Sequence, residues 1–234
     1  MTERAVGRRV FLGMLGLGAA GVLTGARIQD AMSKVLGQIT AHDPTGLSTY
    51  IPAAGRFRIY SVTNDLPHRD ADLYRLDVGG MVDHPMQLSL ADLKALPPTH
   101  LVKDFQCVTG WRVAGVQWTG VRLADLLDHV GAHANGKALL FKSFDGQYTE
   151  SLTMEQARRP DVIVAYAMDG DTVSQMHGGP VRMYIAPMYG YKSTKWLASI
   201  EVVDHVIPGY WEVRGYDVDA WIGRSNGRRD QPVT

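Results

Sequence analysis

Apolar and polar positions alternate with period two along Arg56-Phe57-Arg58-Ile59-Tyr60-Ser61-Val62 and again along Tyr74-Arg75-Leu76-Asp77-Val78, the pattern of half-buried strands. Ser89 to Leu96 reads as a short helix, opened by an N-cap serine and stopped by Pro97-Pro98. Val121 to Val130 repeats that design: Leu123, Leu126, Leu127 and Val130 share one face and Gly131 ends it. Strand-like runs follow at Ala138–Phe141, Val162–Tyr166, Val181–Ile185 and Ile200–Val206, with Met168-Asp169-Gly170-Asp171 as a tight hairpin turn. Short strands with only short helices between them predict an α+β fold of mixed sheets and argue against a doubly wound parallel sheet. No internal repeat or low-complexity tract interrupts the pattern.

The first stretch is patterned differently. Arg8-Arg9 precedes an uncharged run from Val10 to Ala26, closed by Arg27. A positive start, an apolar middle and small residues at its end mark an export signal, and paired arginines point to the twin-arginine route, which carries folded proteins. Five glycines in the 17 residues make the run a poor helix, barely long enough to span about 30 Å of hydrocarbon. Cleavage at Thr24-Gly25-Ala26, a fair small-x-small site, would release the protein; retention would leave an anchor. Gly16-Leu17-Gly18-Ala19-Ala20-Gly21 matches the spacing of a dinucleotide-binding loop. No strand precedes it, and glycines and prolines follow before any second strand, so the nicotinamide reading is rejected. The expected organisation is a signal or anchor at 1–26, a linker at 27–55, one folded domain at 56–227 and a polar tail at 228–234.

Composition then narrows the chemistry. The 234-residue chain is 45% hydrophobic and 21% charged, which excludes disordered, collagen-like and multi-pass membrane classes. With 24 basic against 24 acidic side chains there is no electrostatic case for nucleic acid. The single cysteine, Cys107, excludes an internal disulfide, a four-cysteine zinc or iron–sulfur site and covalently attached haem. No zinc-protease helix, nucleophile elbow or phosphate-binding loop motif is present. His129 and His133 stand four apart, as two ligands on one helix face do, but Gly131 between them at a helix end favours a solvated pair.

That leaves Phe105-Gln106-Cys107-Val108-Thr109-Gly110-Trp111, followed by Trp118-Thr119-Gly120-Val121. An isolated buried cysteine is ordinarily an inert small hydrophobe. Here it ends a strand-like stretch and enters a glycine turn flanked by aromatics, as a ligand presented into a pocket would. Thiolate is a soft donor suited to a high-valent metal held by other sulfurs. On this segment alone the inert reading keeps a slight edge.

Four later segments shift that balance: Phe144 to Leu152, Ala165 to Gly170, His177-Gly178-Gly179-Pro180-Val181-Arg182, and Tyr189-Gly190-Tyr191-Lys192-Ser193-Thr194-Lys195-Trp196-Leu197. With the cysteine segment they resemble the sulfite oxidase superfamily in order and spacing, over about Phe57 to Tyr216. The resemblance implies a single-domain α+β fold of the sulfite-oxidase type, binding a molybdenum–molybdopterin cofactor. One pterin dithiolene, one cysteine thiolate and oxo or hydroxo groups would ligate the metal. Cys107 matches the metal-binding cysteine. Asn64, His177, Arg182, Ser193, Thr194 and Lys195 fall where the family holds the pterin and its phosphate, and Ser143 is a further match. A guanidinium fork, an ammonium and backbone donors in a tight turn suit a phosphate. Tyr148 matches the family's active-site tyrosine, a hydrogen-bond donor to an oxo ligand or substrate. Without the resemblance, Arg182 would read as a surface ion pair, Lys195 as a solvated charge and Tyr148 as a core-edge tyrosine.

There are two departures from the sulfite-oxidising pattern. An arginine precedes the matched asparagine in animal and plant sulfite oxidases, where this chain has Thr63; Arg112, five residues after the cysteine, could compensate. The immunoglobulin-like dimerisation domain and haem domain of those enzymes have no counterpart in this sequence. The layout is more similar to small exported bacterial members, some of which reduce methionine sulfoxide. The resemblance therefore implies an exported oxidoreductase performing two-electron oxygen-atom transfer on a small-molecule substrate of sulfoxide type, with Cys107, Tyr148 and Arg112 as catalytic residues. Sulfite oxidation is the rival reaction, and a cofactor-bearing electron-transfer subunit without turnover is the rival from another class. Too few cysteines for a cluster, and no haem-attachment motif, call for a separate electron partner, expected to be a membrane b-type cytochrome. The site of action would be the periplasm or the outer face of the cytoplasmic membrane, with the chain monomeric apart from that partner.

Overall fold

The strand pattern resolves into two sheets. The computed structural model describes residues 57–109 and 111–224. The first sheet runs in the order β2 (Met86–Ser89), β1 (Arg75–Gly80), β10 (Leu197–Val203), β5 (Ala138–Ser143), β6 (Thr149–Thr153). Its β1–β10 pair is parallel and the other three pairs are antiparallel. The second sheet is built on a long hairpin of β3 (Thr99–Gln106) and β4 (Arg112–Arg122). It continues to β7 (Val162–Met168), which also pairs with β8 (Asp171–Thr172) and β9 (Arg182–Ile185). Both sheets mix with short helices, as expected.

Local chemistry explains the elements that the pattern anticipated. Helix α1 (Leu90–Ala95) opens with a reciprocal cap: Ser89 Oγ accepts from the Asp92 N–H at 3.1 Å, and the Asp92 carboxylate accepts from the Ser89 N–H at 2.9 Å. Such a cap contributes about 1 kcal/mol. Helix α2 (Leu123–His129) buries Leu123, Ala124, Leu126 and Leu127. Each leucine taken fully out of water contributes roughly 2 kcal/mol. Gly131, at φ +65°, then turns the chain where an L side chain would be strained. Helix α3 (Met154–Ala157) is a single turn capped by Thr153 and Gln156. Between β7 and β8, Asp169 and Gly170 both take positive φ, 52° and 85°, as a type I′ hairpin turn demands.

Three readings change. Phe57–Val62 alternates in burial but joins no ladder; its backbone instead serves side chains, with Lys195 Nζ donating to the Tyr60 carbonyl. The second helix starts at Leu123 rather than Val121, because β4 continues to Arg122 and pairs with Ile163 of β7. The strand-like stretch ending at Cys107 and the glycine turn after it are the end of β3 and the tip of a β3–β4 hairpin; its second strand was not legible in the pattern, since Gly115 and Gly120 dilute it. Gly120 is nonetheless required there: a Cβ at that position would lie 2.2 Å from the Val164 carbonyl oxygen of the adjoining strand.

The main core lies under the first sheet and α2, around Leu76, Val78, Leu126, Leu127, Phe141 and Ile200. A smaller aromatic core belongs to the second sheet, where Trp118 stacks on Tyr184 with centroids 4.3 Å apart. The expected boundaries at 26, 55 and 227, and with them the export signal, linker and tail, lie outside the described residues.

Candidate active site

A cavity of about 420 Å³ opens beside the aromatic core. Its walls come from the tip of the β3–β4 hairpin, the 57–62 segment, residues 177–196 and the aromatic residues of 210–216. The hairpin tip carries Cys107, half-buried, with its backbone N–H bonded to the Trp111 carbonyl at 2.9 Å. Its Sγ lies 3.2 Å from Thr109 Oγ1. Phe105 and Trp111, on either side of the tip, stack with centroids 5.8 Å apart. The turn at Gly190 presses on this base: a Cβ there would sit 2.4 Å from the Phe105 ring, so only glycine permits the approach.

Two cations line the same cavity, Arg182 buried and Lys195 half-buried. Arg182 opens β9 and is 2% exposed. Its guanidinium donates to the carbonyls of His177 (2.6 Å), Ser193 (3.1 Å) and Met183 (3.2 Å), and lies 5.4 Å from the Phe105 and Trp118 rings. Burial lowers its pKa to about 10. Lys195 donates to the Tyr60 carbonyl and stands 4.2 Å over the Trp196 ring. Burial, and then the charge of Arg182, pull its ammonium down to about 7. Neither cation forms an ion pair among the described residues; both bond to carbonyls. Around them, Ser193 Oγ accepts from the Ile185 N–H at 3.0 Å and keeps its own proton to give. Thr194 Oγ1 is buried without a partner. His177 meets Phe57 edge-on at 4.7 Å, and burial followed by the two cations lowers its pKa, keeping the ring neutral.

The remaining wall is aromatic. Tyr148 stacks on Tyr210 at 5.7 Å, Tyr210 meets Trp211 at 5.2 Å, Trp211 meets Tyr216 at 5.2 Å, and Tyr216 meets Tyr191 at 5.4 Å. The Tyr148 hydroxyl donates to the Tyr191 carbonyl at 2.5 Å, so its one proton is committed to the wall itself. Burial and the nearby carboxylates raise its pKa well above the ordinary tyrosine value.

Six of the residues expected at the site line this cavity: Cys107, Tyr148, His177, Arg182, Ser193 and Lys195. Thr194 is buried next to them. Four positions of interest do not line it. The Arg112 guanidinium is bonded to the Asp104 carboxylate across the hairpin, where Asp104 also accepts from the Gly115 N–H at 2.8 Å. Asn64 is exposed, at φ 58°. Ser143 is buried and accepts from the Asp145 N–H at 3.2 Å. Thr63 bonds to the Ser61 hydroxyl at 3.0 Å. Conversely, Arg58, Tyr60, Asp145 and Trp196 line the cavity and were not anticipated. Arg58 and Tyr60 belong to the stretch whose alternation was read as an ordinary strand. Among the described residues no three His, Cys, Asp or Glu side chains converge, so Cys107 is the protein's own soft donor here.

A thiol, two cations without a carboxylate partner among the described residues and an aromatic wall line one cavity. The chain belongs to the family described as the oxidoreductase molybdopterin binding domain, whose model matches residues 63–211. It is 35% identical over 162 residues to the uncharacterized oxidoreductase YuiH of Bacillus subtilis, covering 68% of this chain and 81% of that one. It is 32% identical over 235 aligned positions to YedZ1 of Azospira oryzae, named as a candidate protein-methionine-sulfoxide reductase subunit, covering 93% of this chain and 88% of that one. The catalytic subunit MsrP of a protein-methionine-sulfoxide reductase from Ralstonia nicotianae is 27% identical, over 68% of this chain and 52% of its own. In fold, the chain is similar to the sulfane dehydrogenase SoxCD of Paracoccus pantotrophus. That match has a TM-score of 0.59 at 22% identity, over 64% of this chain and 43% of that one. The sulfite-oxidase-type α+β fold and the molybdenum-dependent oxidoreductase class expected from the sequence both stand.

Proposed function

We propose that this oxidoreductase carries out two-electron oxygen-atom transfer, taking the oxygen from a neutral, sulfoxide-like substrate. The observation that carries the reading is the presence, in one cavity, of the Cys107 thiol, the buried Arg182 and the half-buried Lys195, neither cation having a carboxylate partner among the described residues. The residues fit a molybdenum–molybdopterin group. An uncompensated guanidinium and ammonium call for an anion such as a phosphate. The unpartnered Thr194 hydroxyl and the free Ser193 proton offer it further donors, and the half-buried thiol is a soft donor. Cys107 would hold the metal, and Arg182, Ser193, Thr194 and Lys195 the phosphate end, with neutral His177 bonding to the pterin. When bound, the cofactor supplies the two-electron couple at which oxygen is exchanged.

The chain's own part is to bind, orient and exclude water. The wall from Tyr148 to Tyr216 offers apolar faces to a substrate and desolvates the cavity. Arg112 is committed to Asp104, and Thr63 brings no charge, so a neutral substrate suits this end better than a dianion. The similarity to relatives named for methionine-sulfoxide reduction supports the same direction. One observation favours sulfite oxidation as the second reading: Arg58 lines the cavity, exposed, with no ion pair among the described residues.

We further infer export by the twin-arginine route and electron supply by a membrane b-type cytochrome, on the strength of the Arg8-Arg9 segment and the single cysteine. The test of the reaction is metal analysis of the purified protein, followed by turnover with a reduced dye and a panel of sulfoxides, set against sulfite with an electron acceptor. Stoichiometric molybdenum with sulfoxide turnover is expected. A molybdenum-loaded protein that oxidises sulfite and ignores every sulfoxide refutes the reductive reading, and a protein that takes up no molybdenum refutes the whole assignment.

A further inference from the structure

Beneath the aromatic wall lies a charged cluster that the chemistry above does not use. Lys192, Glu150 and Glu212 are buried, with no side-chain exposure in either ion pair. Lys192 Nζ lies 2.8 Å from Glu150 Oε2 and also bonds to Glu212. The second Glu212 oxygen accepts from the Gly209 N–H at 2.6 Å. Glu150 sits on β6, Lys192 in the turn that leads to Ser193, and Glu212 in a turn of the C-terminal segment.

Stability alone does not account for such a cluster. Taking an ammonium and its carboxyl partners out of water is costly, and apolar residues of similar volume serve a core as well or better. Burial also raises the Glu150 carboxyl to about 8 against the pull of Lys192, and its Oε1 finds no partner. What the cluster does accomplish is alignment. The Gly209–Tyr216 segment touches the rest of the domain closely at this point. The Tyr210 N–H bonds to the Thr149 carbonyl at 2.9 Å, and a Cβ on Gly209 would meet that carbonyl at 2.5 Å. Tyr210 of this segment stacks on Tyr148 and Tyr216 meets Tyr191 edge-on, and these two tyrosines lie within two residues of Glu150 and Lys192 in sequence.

We propose that Lys192 is a positioning residue: with Glu150 and Glu212 it fixes Gly209–Tyr216 as the substrate-facing wall of the cavity. That the wall faces substrate rests on the oxygen-transfer reading; that the cluster holds the wall does not. A three-way charged clamp ties together a strand, the phosphate-side turn and the C-terminal segment, so the two ends of the cavity keep a fixed separation. Directional charged contacts select one arrangement where an apolar contact would allow the segment to slide.

The test uses the molybdenum-loaded protein. Glu212→Ala removes one arm and leaves Lys192 paired with Glu150, so the domain keeps a compensated charge. Hydrogen exchange of the 209–216 amides should quicken by at least about tenfold, while amides of β5 and β10 keep their protection. Molybdenum content should be unchanged. The KM for a sulfoxide should rise severalfold, with kcat changed by less than about twofold. Glu212→Gln, whose single amide oxygen can accept from only one of Lys192 and Gly209, should recover at most part of either effect. Lys192→Met provides the second route to the same local release. Wild-type exchange over 209–216 in Glu212→Ala overturns the proposal, and so does an equal quickening across both sheets. If the wild type turns over no sulfoxide, the functional reading fails on its own, and the exchange pattern still decides the role of the clamp.

Discussion

Lys195 gives the site a property that can be measured without any substrate. In the cofactor-free protein, burial and then Arg182 lower its ammonium from 10.5 to about 7, with Asp145 opposing. Between those values the folded protein holds fewer protons at this residue than the unfolded chain, so stability should rise with pH across the interval. At about 1.4 kcal/mol per pH unit the full lowering corresponds to roughly 5 kcal/mol. Water at the cavity mouth screens the charge and should leave roughly half of that. Glu150 acts in the opposite sense at lower pH. Its carboxyl is raised from 4.5 to about 8, so the folded state keeps an extra proton and this contribution is lost as pH climbs through 8. A Lys195→Met variant isolates the lysine, because both proteins carry the Glu150 contribution and it cancels on subtraction. The assay is urea unfolding of both cofactor-free proteins from about pH 6 to about pH 10. The wild-type stability minus that of the variant should climb by roughly 2–3 kcal/mol between about pH 7 and pH 10. A difference that stays flat, or falls, refutes the picture of a partly desolvated ammonium awaiting an anion. Saturating inorganic phosphate should flatten the rise, since an anion beside Lys195 restores the charged form.

Other outcomes follow from single residues. Cys107→Ser should keep the fold, because the thiol is only half-buried at the edge of the aromatic core and serine keeps its contact with the Thr109 hydroxyl, yet abolish turnover; a serine variant as active as wild type removes the thiol from the chemistry. Gly178 holds φ +95°, and a Cβ there would lie 2.5 Å from Lys195 Cβ. Gly178→Ala should therefore lose about 1–3 kcal/mol of stability and lower the molybdenum content, read by denaturation and metal analysis. Arg58→Gln should leave the sulfoxide KM untouched; if sulfite is the true substrate, its KM should instead rise by about tenfold, as expected for one lost charge-assisted contact.

How far the sequence could be read depended on whether the information was local. The Ser89 cap, the Leu123–Leu127 face and the Asp169-Gly170 turn are each set by residues within a few positions of one another, and each was legible. The second strand of the β3–β4 hairpin was not, because its glycines answer to a strand distant in sequence: Gly120 makes room for Val164. The same distinction runs through the site. Cys107, Arg182, Ser193 and Lys195 sit in short motifs and lie together in the cavity. Arg112 looked available because nothing local predicted that Asp104, eight residues away on the paired strand, would take its guanidinium. Phe57–Val62 carried a strand's alternation, but its carbonyl at Tyr60 serves Lys195, a contact across 135 positions that no periodicity reports.

The charge layout of the cavity links its two ends. At the cofactor end, Arg182 and Lys195 bring two cations and no carboxylate bonded to them, so the folded protein carries a deficit of negative charge that a phosphate would fill. Behind the aromatic wall, Lys192 stands between two carboxyl groups that offset its charge, and burial raises that of Glu150. An anion entering this cavity is therefore drawn to the end that carries Arg182 and Lys195. The rings of Tyr148, Tyr210, Trp211 and Tyr216 cover the other with apolar faces. A cofactor anchored by its phosphate and a substrate held by dispersion against those rings would then be sorted by charge, each to its own end, before any group on the substrate is recognised.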